Sequence, residues 1–268
     1  MSRAEVRTEI DRPGYRTTLL RWVPVWRRNL KVWQKMAVPS ILGNFGEPLL
    51  YLLALGYGLG SFVGNIGEMP YIVYLASGIV CSSAMMTASF EGMYSAYSRM
   101  AVQRTWNAML ATPIDVRDVV IGEAVWCATK SLISATAILI VSALLDAVAS
   151  WLALFALPVV FLMGLCFGGF ALIITSLARS YDFFLYFMTL VITPMLMLGG
   201  VFFPLERMPD FIQSAAVLLP LTHAVNLVRP MVTGTPIHDV GLHLAVLGGY
   251  AFVTLSIAIR LLNRRMTA

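Results

Sequence analysis

Six apolar stretches constrain this chain more than any other feature. They run Ile41–Phe62, Tyr71–Phe90, Val119–Leu145, Trp151–Ala178, Phe183–Phe203 and Leu242–Leu262. Each is about 20 residues or longer, enough to cross roughly 30 Å of hydrocarbon as a helix. Their apolar character is continuous, whereas strands of a membrane barrel alternate in short segments. Only 12% of the residues are charged, against about 25% in a soluble domain. The expected fold is therefore an all-α polytopic membrane protein of six transmembrane helices. Residues 1–35 form a polar tail with an interface helix, and residues 36–268 form one membrane domain.

Charge distribution predicts the orientation. Nine of the 19 Lys and Arg residues lie in residues 1–35. Arg99, Arg104, Arg117, Arg179, Arg260, Arg264 and Arg265 fall on the same side of the expected membrane, while only Arg207 and Arg229 fall on the other. Lys130 is inside a span. The positive-inside rule then places both termini in the cytoplasm, as an even number of spans also requires. The same distribution argues against nucleic-acid binding and assigns the net charge of +5 to topology and lipid headgroups. No cleavable leader is visible. Cys81, Cys127 and Cys166 all lie in apolar spans without ligand spacing, and read as packing residues.

Three segments do not span. In residues 17–35, Trp22, Trp26, Leu30 and Trp33 recur at intervals of four, four and three, with cations between them. This predicts an amphipathic helix in the cytoplasmic interface, with Pro24 near its start. Residues 92–118 form the longest inside loop. Their spacing predicts a short helix at about 95–111, ended before Pro113, with Asp115 or Asp118 capping the next span. On the outer side, 203–239 carries two apolar patches, Asp210–Leu219 and His223–Met231, separated by Pro220. Each is too short to span, which predicts a re-entrant or interface-lying helical hairpin entered through Gly199-Gly200.

The chemistry-bearing residues are few. Glu47, Glu91, Glu123 and Lys130 are ionisable groups inside or at the edge of spans, where such groups face the bundle interior or a wet path. Three shallow carboxylates make no continuous route across a membrane, so interhelical pairing is favoured over a proton or substrate relay. The helical distance between Glu123 and Lys130, about 10 Å, argues against a direct pair. The glycines of GYGLG (56–60) lack the context of a phosphate loop and suggest close packing or a bend. His223, His238 and His243 share no spacing that would put them on one face, which disfavours a metal site. Aromatic residues near span ends fit an interface belt, although sugar rings stack on the same faces. No Walker motif, nucleophile elbow or HExxH occurs. A membrane-embedded transferase would need an acid–base or metal constellation that is not seen, while a non-catalytic scaffold stays open.

Several stretches carry a resemblance. WRRNLKVWQK (26–35), NFGEPLLYLLALGYGLG (44–60), RMAVQRTWNAMLATPIDVRDVVIGEAVWCATK (99–130) and LGGVFFPLERMP (198–209) are similar to permeases of ABC exporters of the O-antigen, teichoic-acid and nodulation-factor group, and most to the NodJ-type branch. The resemblance covers residues 17–262. It implies a bacterial inner-membrane permease, not an enzyme, that moves a lipo-oligosaccharide outward. Export of polysaccharide, O-antigen or drugs by the same architecture is the alternative. It implies two permease chains with two NodI-type ATPase chains, which hold the ATP and Mg, and no cofactor on this chain. The loop helix would be the coupling helix, with Arg99, Arg104, Thr105, Trp106 and Leu110 touching the ATPase. Spans one, two and five would line the path, with Glu47, Tyr51, Tyr57, Phe90, Tyr186, Phe202 and Phe203 along it or at its gate, and the hairpin 208–231 would cap the exit.

Overall fold

The computed structural model describes residues 20–67 and 69–267, and the side chains of 41–45 and 47 lie outside that description. Residues 1–19, with most of the polar tail and the first positions of the expected interface helix, are also outside it.

Helix α1, Val23–Gln34, opens with Pro24 in its first turn, where a missing N–H costs nothing. Its inward stripe is Val25 and Asn29, both buried, rather than the tryptophans, which stay half-buried. Gly122 explains the close approach: a Cβ there would sit 2.7 Å from the Val25 side chain and 2.9 Å from the Trp22 carbonyl. Helix α2 covers Ala37–Leu53 and continues through a π-helical stretch, Ala54–Leu59, to Val63. The GYGLG glycines fall in and just after that π stretch. A two-strand hairpin then pairs Ile66 with Met69.

Among the described residues, four helices are long and apolar enough to cross a membrane: Tyr71–Val102, Val116–Leu144, Trp151–Leu177 and Val240–Thr267. They contain α3 (Tyr71–Phe90), α5 (Val116–Leu144), α6 (Ala156–Leu177) and α10 (Val240–Thr267). The expected first span falls within the continuous helix from Ala37 to Val63, and the expected fifth span is a shorter apolar helix, Asp182–Leu198. The latter, α7, is interrupted by a π turn at Met188–Ile192 and runs about 25 Å at 1.5 Å per residue. A span of that length needs local bilayer thinning.

The second expected span is longer than its apolar run. Tyr71–Val102 continues through π turns at Glu91–Ser95 and Ser98–Val102. This corrects the expected loop helix at 95–111: its first half belongs to the span. The break comes at Arg104, which adopts a left-handed conformation (φ 51°). Only α4, Thr105–Leu110, stands apart as a helix. Asp115 caps α5 in a reciprocal box with Asp118, whose carboxylate accepts from the Asp115 N–H at 3.1 Å.

The expected hairpin is α8 (Asp210–Ala216) and α9 (Pro220–Thr233), bent by 88°. Pro220 does not separate the two patches, as the sequence suggests. It opens the second helix, because the first turn tolerates proline. Helix α9 buries Leu221, Ala224, Val225, Leu227 and Val228 against α3 and α6, while Phe211 on α8 is 74% exposed. Two apolar clusters fill the bundle, one toward each end. The C-terminal turn of α10 lies at the same end as α1 and α4, since Arg265 donates to the Thr175 and Ser176 carbonyls (2.7 and 2.9 Å) and Thr175 donates to the Gly92 carbonyl (2.7 Å). We call this the basic end.

Candidate functional site

At the basic end, five elements meet on one buried cluster of charges. Glu91 lies 20 residues beyond Tyr71 on the same helix, about 30 Å along its axis, so the cluster sits where hydrocarbon gives way to headgroups. That depth is less hostile to charge than the midplane.

Arg99 is the centre. Its Nε donates to Glu123 Oε1 at 3.0 Å and its Nη2 to Glu123 Oε2, a fork-on-fork pair. The same Nη2 donates to Glu91 Oε1 at 2.9 Å. Lys130 Nζ approaches Glu91 Oε2 at 3.3 Å and donates to Ser40 Oγ at 3.2 Å. Two carboxylates thus face two cations, and the group is electrically balanced. Tryptophans fill the remaining acceptor positions. Trp106 Nε1 on α4 donates to Glu123 Oε1 (3.1 Å), and Trp126 Nε1 donates to Glu91 Oε1 (2.9 Å). From the interface helix, Trp26 Nε1 reaches Thr129 Oγ1 (3.0 Å) and Trp33 meets the Trp126 ring edge-on at 6.1 Å. Trp33 Nε1 also donates to Ser40 (3.0 Å). Glu123 is wholly buried, as is Trp106.

The sequence expectation of interhelical pairing holds for Glu91, Glu123 and Lys130. Lys130 pairs with Glu91 and not with Glu123, consistent with their axial separation. The assigned docking positions need correcting. Arg99 and Trp106 point into the bundle, because only there does each find a carboxylate. A buried guanidinium and a buried indole cannot present themselves to a partner's surface. Arg104 is exposed and Thr105 half-buried, whereas Leu110, four residues after Trp106 and so on the same face, packs against the buried apolar cluster. Glu47 lies on α2, with its side chain outside the described residues.

The expected path residues do not form one site. Tyr51 meets Phe202 edge-on (6.2 Å) and Phe202 meets Phe203 (6.5 Å) in the far half. Phe90 stacks on Tyr94 (5.4 Å), and Tyr94 on Tyr181 (6.0 Å), at the basic end. Phe90, Tyr181 and Phe203 each keep roughly two-fifths of their surface exposed, whereas Phe202 is buried. Tyr57 and Tyr186 are exposed and join neither group.

The far end is closed differently. The Arg229 guanidinium lies over the Tyr74 ring, 3.7 Å from its centre, donating to Ser77 Oγ (3.0 Å) and the Gly200 carbonyl (2.7 Å). Gly78 has no Cβ because the Val201 backbone occupies that space. The sequence alone gives no reason to join His223 and His243, yet their Nδ1 atoms are 2.7 Å apart. His223 Nε2 faces the Val217 carbonyl at 2.8 Å and must carry a proton, so with a neutral His223 ring the donor between the two rings is His243 Nδ1. Among the described residues no group of three metal-binding side chains occurs, and His238 is exposed and apart.

Sequence reasoning missed the Arg99 to Glu123 and Trp106 to Glu123 contacts. Their one signal was the eight-residue step from Glu91 to Arg99 on a helix whose π turns shift its phase.

Comparison with known proteins gives a consistent result. The ABC-2 type transporter family matches residues 21–232. Nodulation protein J of Rhizobium meliloti is 45% identical over 246 residues, covering 91% of this chain and 94% of that protein. Nodulation protein J of Rhizobium leguminosarum bv. viciae is 46% identical over 248 residues, covering 92% and 95%. The inner membrane transport permease YadH of Escherichia coli is 24% identical over 207 residues, covering 76% and 78%.

Proposed function

The chain belongs to the ABC-2 type transporter family, as a NodJ-type multi-pass permease subunit of an ABC transporter, and from that premise we propose that it exports a lipo-oligosaccharide in a nodulation-factor-like class. Two copies pair above two NodI-type ATPase chains in the bacterial inner membrane, with both termini cytoplasmic. ATP and Mg are held by the ATPase. The 45–46% identity to the Nodulation protein J relatives, over more than nine-tenths of the chain, supports the cargo class.

The observation that carries the coupling role is α4. This short helix carries exposed Arg104, Asn107 and Ala108, while its Trp106 is bonded to the buried charge cluster. A force applied to the outer side of α4 therefore reaches α3 and α5 through hydrogen bonds, and reaches α1 and α2 through Lys130 and the tryptophans. Arg104 and Thr105 touch the ATPase, whereas Arg99 and Trp106 transmit and Leu110 anchors α4 on the bundle.

The physical task is plain. A sugar chain carries many donors and acceptors, and each one left unpaired in hydrocarbon costs about 2–7 kcal/mol. The lipid tail of the same molecule is at home there. A cleft that offers polar and aromatic faces to the head while leaving the tail in the bilayer lowers that cost. Nucleotide binding by the ATPase then shifts the balance between inward-open and outward-open arrangements.

The test is reconstitution of the permease with the ATPase from the neighbouring reading frame in vesicles supplied with an acylated chito-oligosaccharide. ATP-dependent accumulation of the amphiphile on the side opposite the ATPase is the expected result. Export by the membrane chain alone, or failure of the two chains to associate, refutes the reading. Arg104→Ala should weaken association, and Trp106→Phe should leave association intact while lowering stimulation of ATP hydrolysis.

A further inference from the structure

Beneath α1 is a hollow of about 400 Å³ whose walls include Arg28, Asn29, Trp33, Ser95, Trp126 and Lys130. On the other side of the helix is a second hollow of about 490 Å³ lined by Arg27, Lys31 and Lys35. Arg28 and Val32 belong to both. The corner they share is rich in donors and poor in acceptors. Helix α1 contains no acidic residue. Glu91, on the wall of the first hollow, is already engaged by Arg99, Trp126 and Lys130.

Arg28 is half-buried, and the only hydrogen bond from its guanidinium among the described residues goes to a neutral acceptor, Asn29 Oδ1 at 3.0 Å. Burial and the nearby Arg99 cation push its pKa down, with Glu123 acting in the opposite sense. Asn29 is only 3% exposed, and its amide nitrogen has no hydrogen-bond partner among the described residues. A buried donor left unpaired costs about 1–3 kcal/mol, so this corner is short of an acceptor. An anionic oxygen would supply one. The surroundings indicate what carries it: Val32 and Met36, on the wall of the first hollow, are 49% and 64% exposed, which suits acyl chains and not a free ion.

We propose that the hollow beneath α1 binds the headgroup phosphate of an anionic membrane phospholipid, with Arg28 as its principal ligand and the Asn29 amide as a second donor. The lipid acts as a wedge between the interface helix and the charge cluster and fixes the spacing of α1 from α5. The site is distinct from a diffuse attraction between a basic helix and an anionic surface, in which every cation at similar depth contributes alike, each about 1 kcal/mol, or roughly fivefold in affinity.

Native mass spectrometry of the full chain, purified in neutral detergent, tests this with added phosphatidylglycerol or phosphatidylcholine. One phosphatidylglycerol should be retained per chain, in preference to phosphatidylcholine. Arg28→Gln should lower retention about tenfold or more, and Arg27→Gln or Lys35→Gln fivefold or less. Asn29→Asp, which places a carboxylate beside Arg28, should lose the lipid as completely as Arg28→Gln while eluting normally on gel filtration. Equal losses for all three cations would show a diffuse potential and overturn the site. So would retention in Asn29→Asp, or equal retention of the two lipids. Displacement by millimolar glycerol phosphate would identify a free-phosphate site and overturn the lipid assignment.

Discussion

The two ends of the bundle hold their cations in opposite ways. At the basic end, Arg99 and Lys130 face two carboxylates, and tryptophan N–H groups occupy the remaining acceptors. At the far end, Arg229 has no carboxylate within ion-pair distance among the described residues. It rests on a tyrosine ring, a serine hydroxyl and a backbone carbonyl. A network of charged partners fixes geometry strongly, because removing any member leaves another charge unmatched. The partners of Arg229 are all neutral, so the loss of one strands no second charge. The proposed coupling calls for such a division, with a basic end that transmits displacement and a far end less tightly bound. This division suits a machine driven from one side and opened at the other.

Substitutions can break or sharpen this contrast. The largest effect is expected for Glu123→Leu. It strands Arg99 against Glu91 alone and orphans the Trp106 N–H, which should destabilise the fold by about 3–5 kcal/mol. Thermal unfolding followed by gel filtration in detergent should show it clearly, and a shift no larger than that of Arg229→Met would erase the contrast. Gly78→Ala should cost about 1–3 kcal/mol, because a Cβ collides with the Val201 backbone and the bend after α7 must move. Its signature is increased proteolysis near 199–203 with the basic end protected. Arg229→Met, with similar length and no charge, should cost about 1–2 kcal/mol, equivalent to one or two hydrogen bonds. Hydrogen exchange should rise around Gly200 and in α9, and remain unchanged around Glu91. The smallest effect is expected for Trp106→Phe, about 1 kcal/mol, because Arg99 continues to satisfy Glu123. Loss of ATPase stimulation at nearly unchanged melting temperature would separate transmission from stability.

Much of the helical skeleton was legible in the chain. The apolar runs at Tyr71–Phe90, Val119–Leu145, Trp151–Ala178 and Leu242–Leu262 fall within helices or match their limits to a few residues. Apolar length is a local property, and hydrocarbon imposes helix on it. The Asp115 cap was likewise visible, because capping is settled within three residues. Where local signals were equivocal, the reading failed. The polar residues after Phe90 suggest a loop, yet the helix continues to Val102. Arg99 and Glu91 find partners there that no window of sequence contains. Pro220 reads as a breaker or as a first-turn residue on composition alone, and packing of α9 against α3 chose the latter.

The candidate site shows the same boundary more sharply. Sequence identified Glu91, Glu123 and Lys130 as costly residues in need of partners, from the price of charge near lipid. It also marked a helix between the second and third spans, though with a start about ten residues too early, and supplied the basic, amphipathic character of α1. The resemblance assigned Arg99 and Trp106 to the docking face, and it carries no information on the two carboxylates that turn them inward.

Sequence by itself determined that this chain is a helical membrane protein, which residues are too polar to face lipid, and which end is basic. Each of these follows from the free energy of moving a side chain or peptide group from water to hydrocarbon, and that depends on the residue alone. Tertiary structure decided which charges neutralise one another, which way α4 turns its tryptophan, and how Arg229 closes the far end. Those outcomes depend on atoms between 8 and 152 residues apart in the chain meeting within hydrogen-bond distance, and only packing of the whole bundle brings them there.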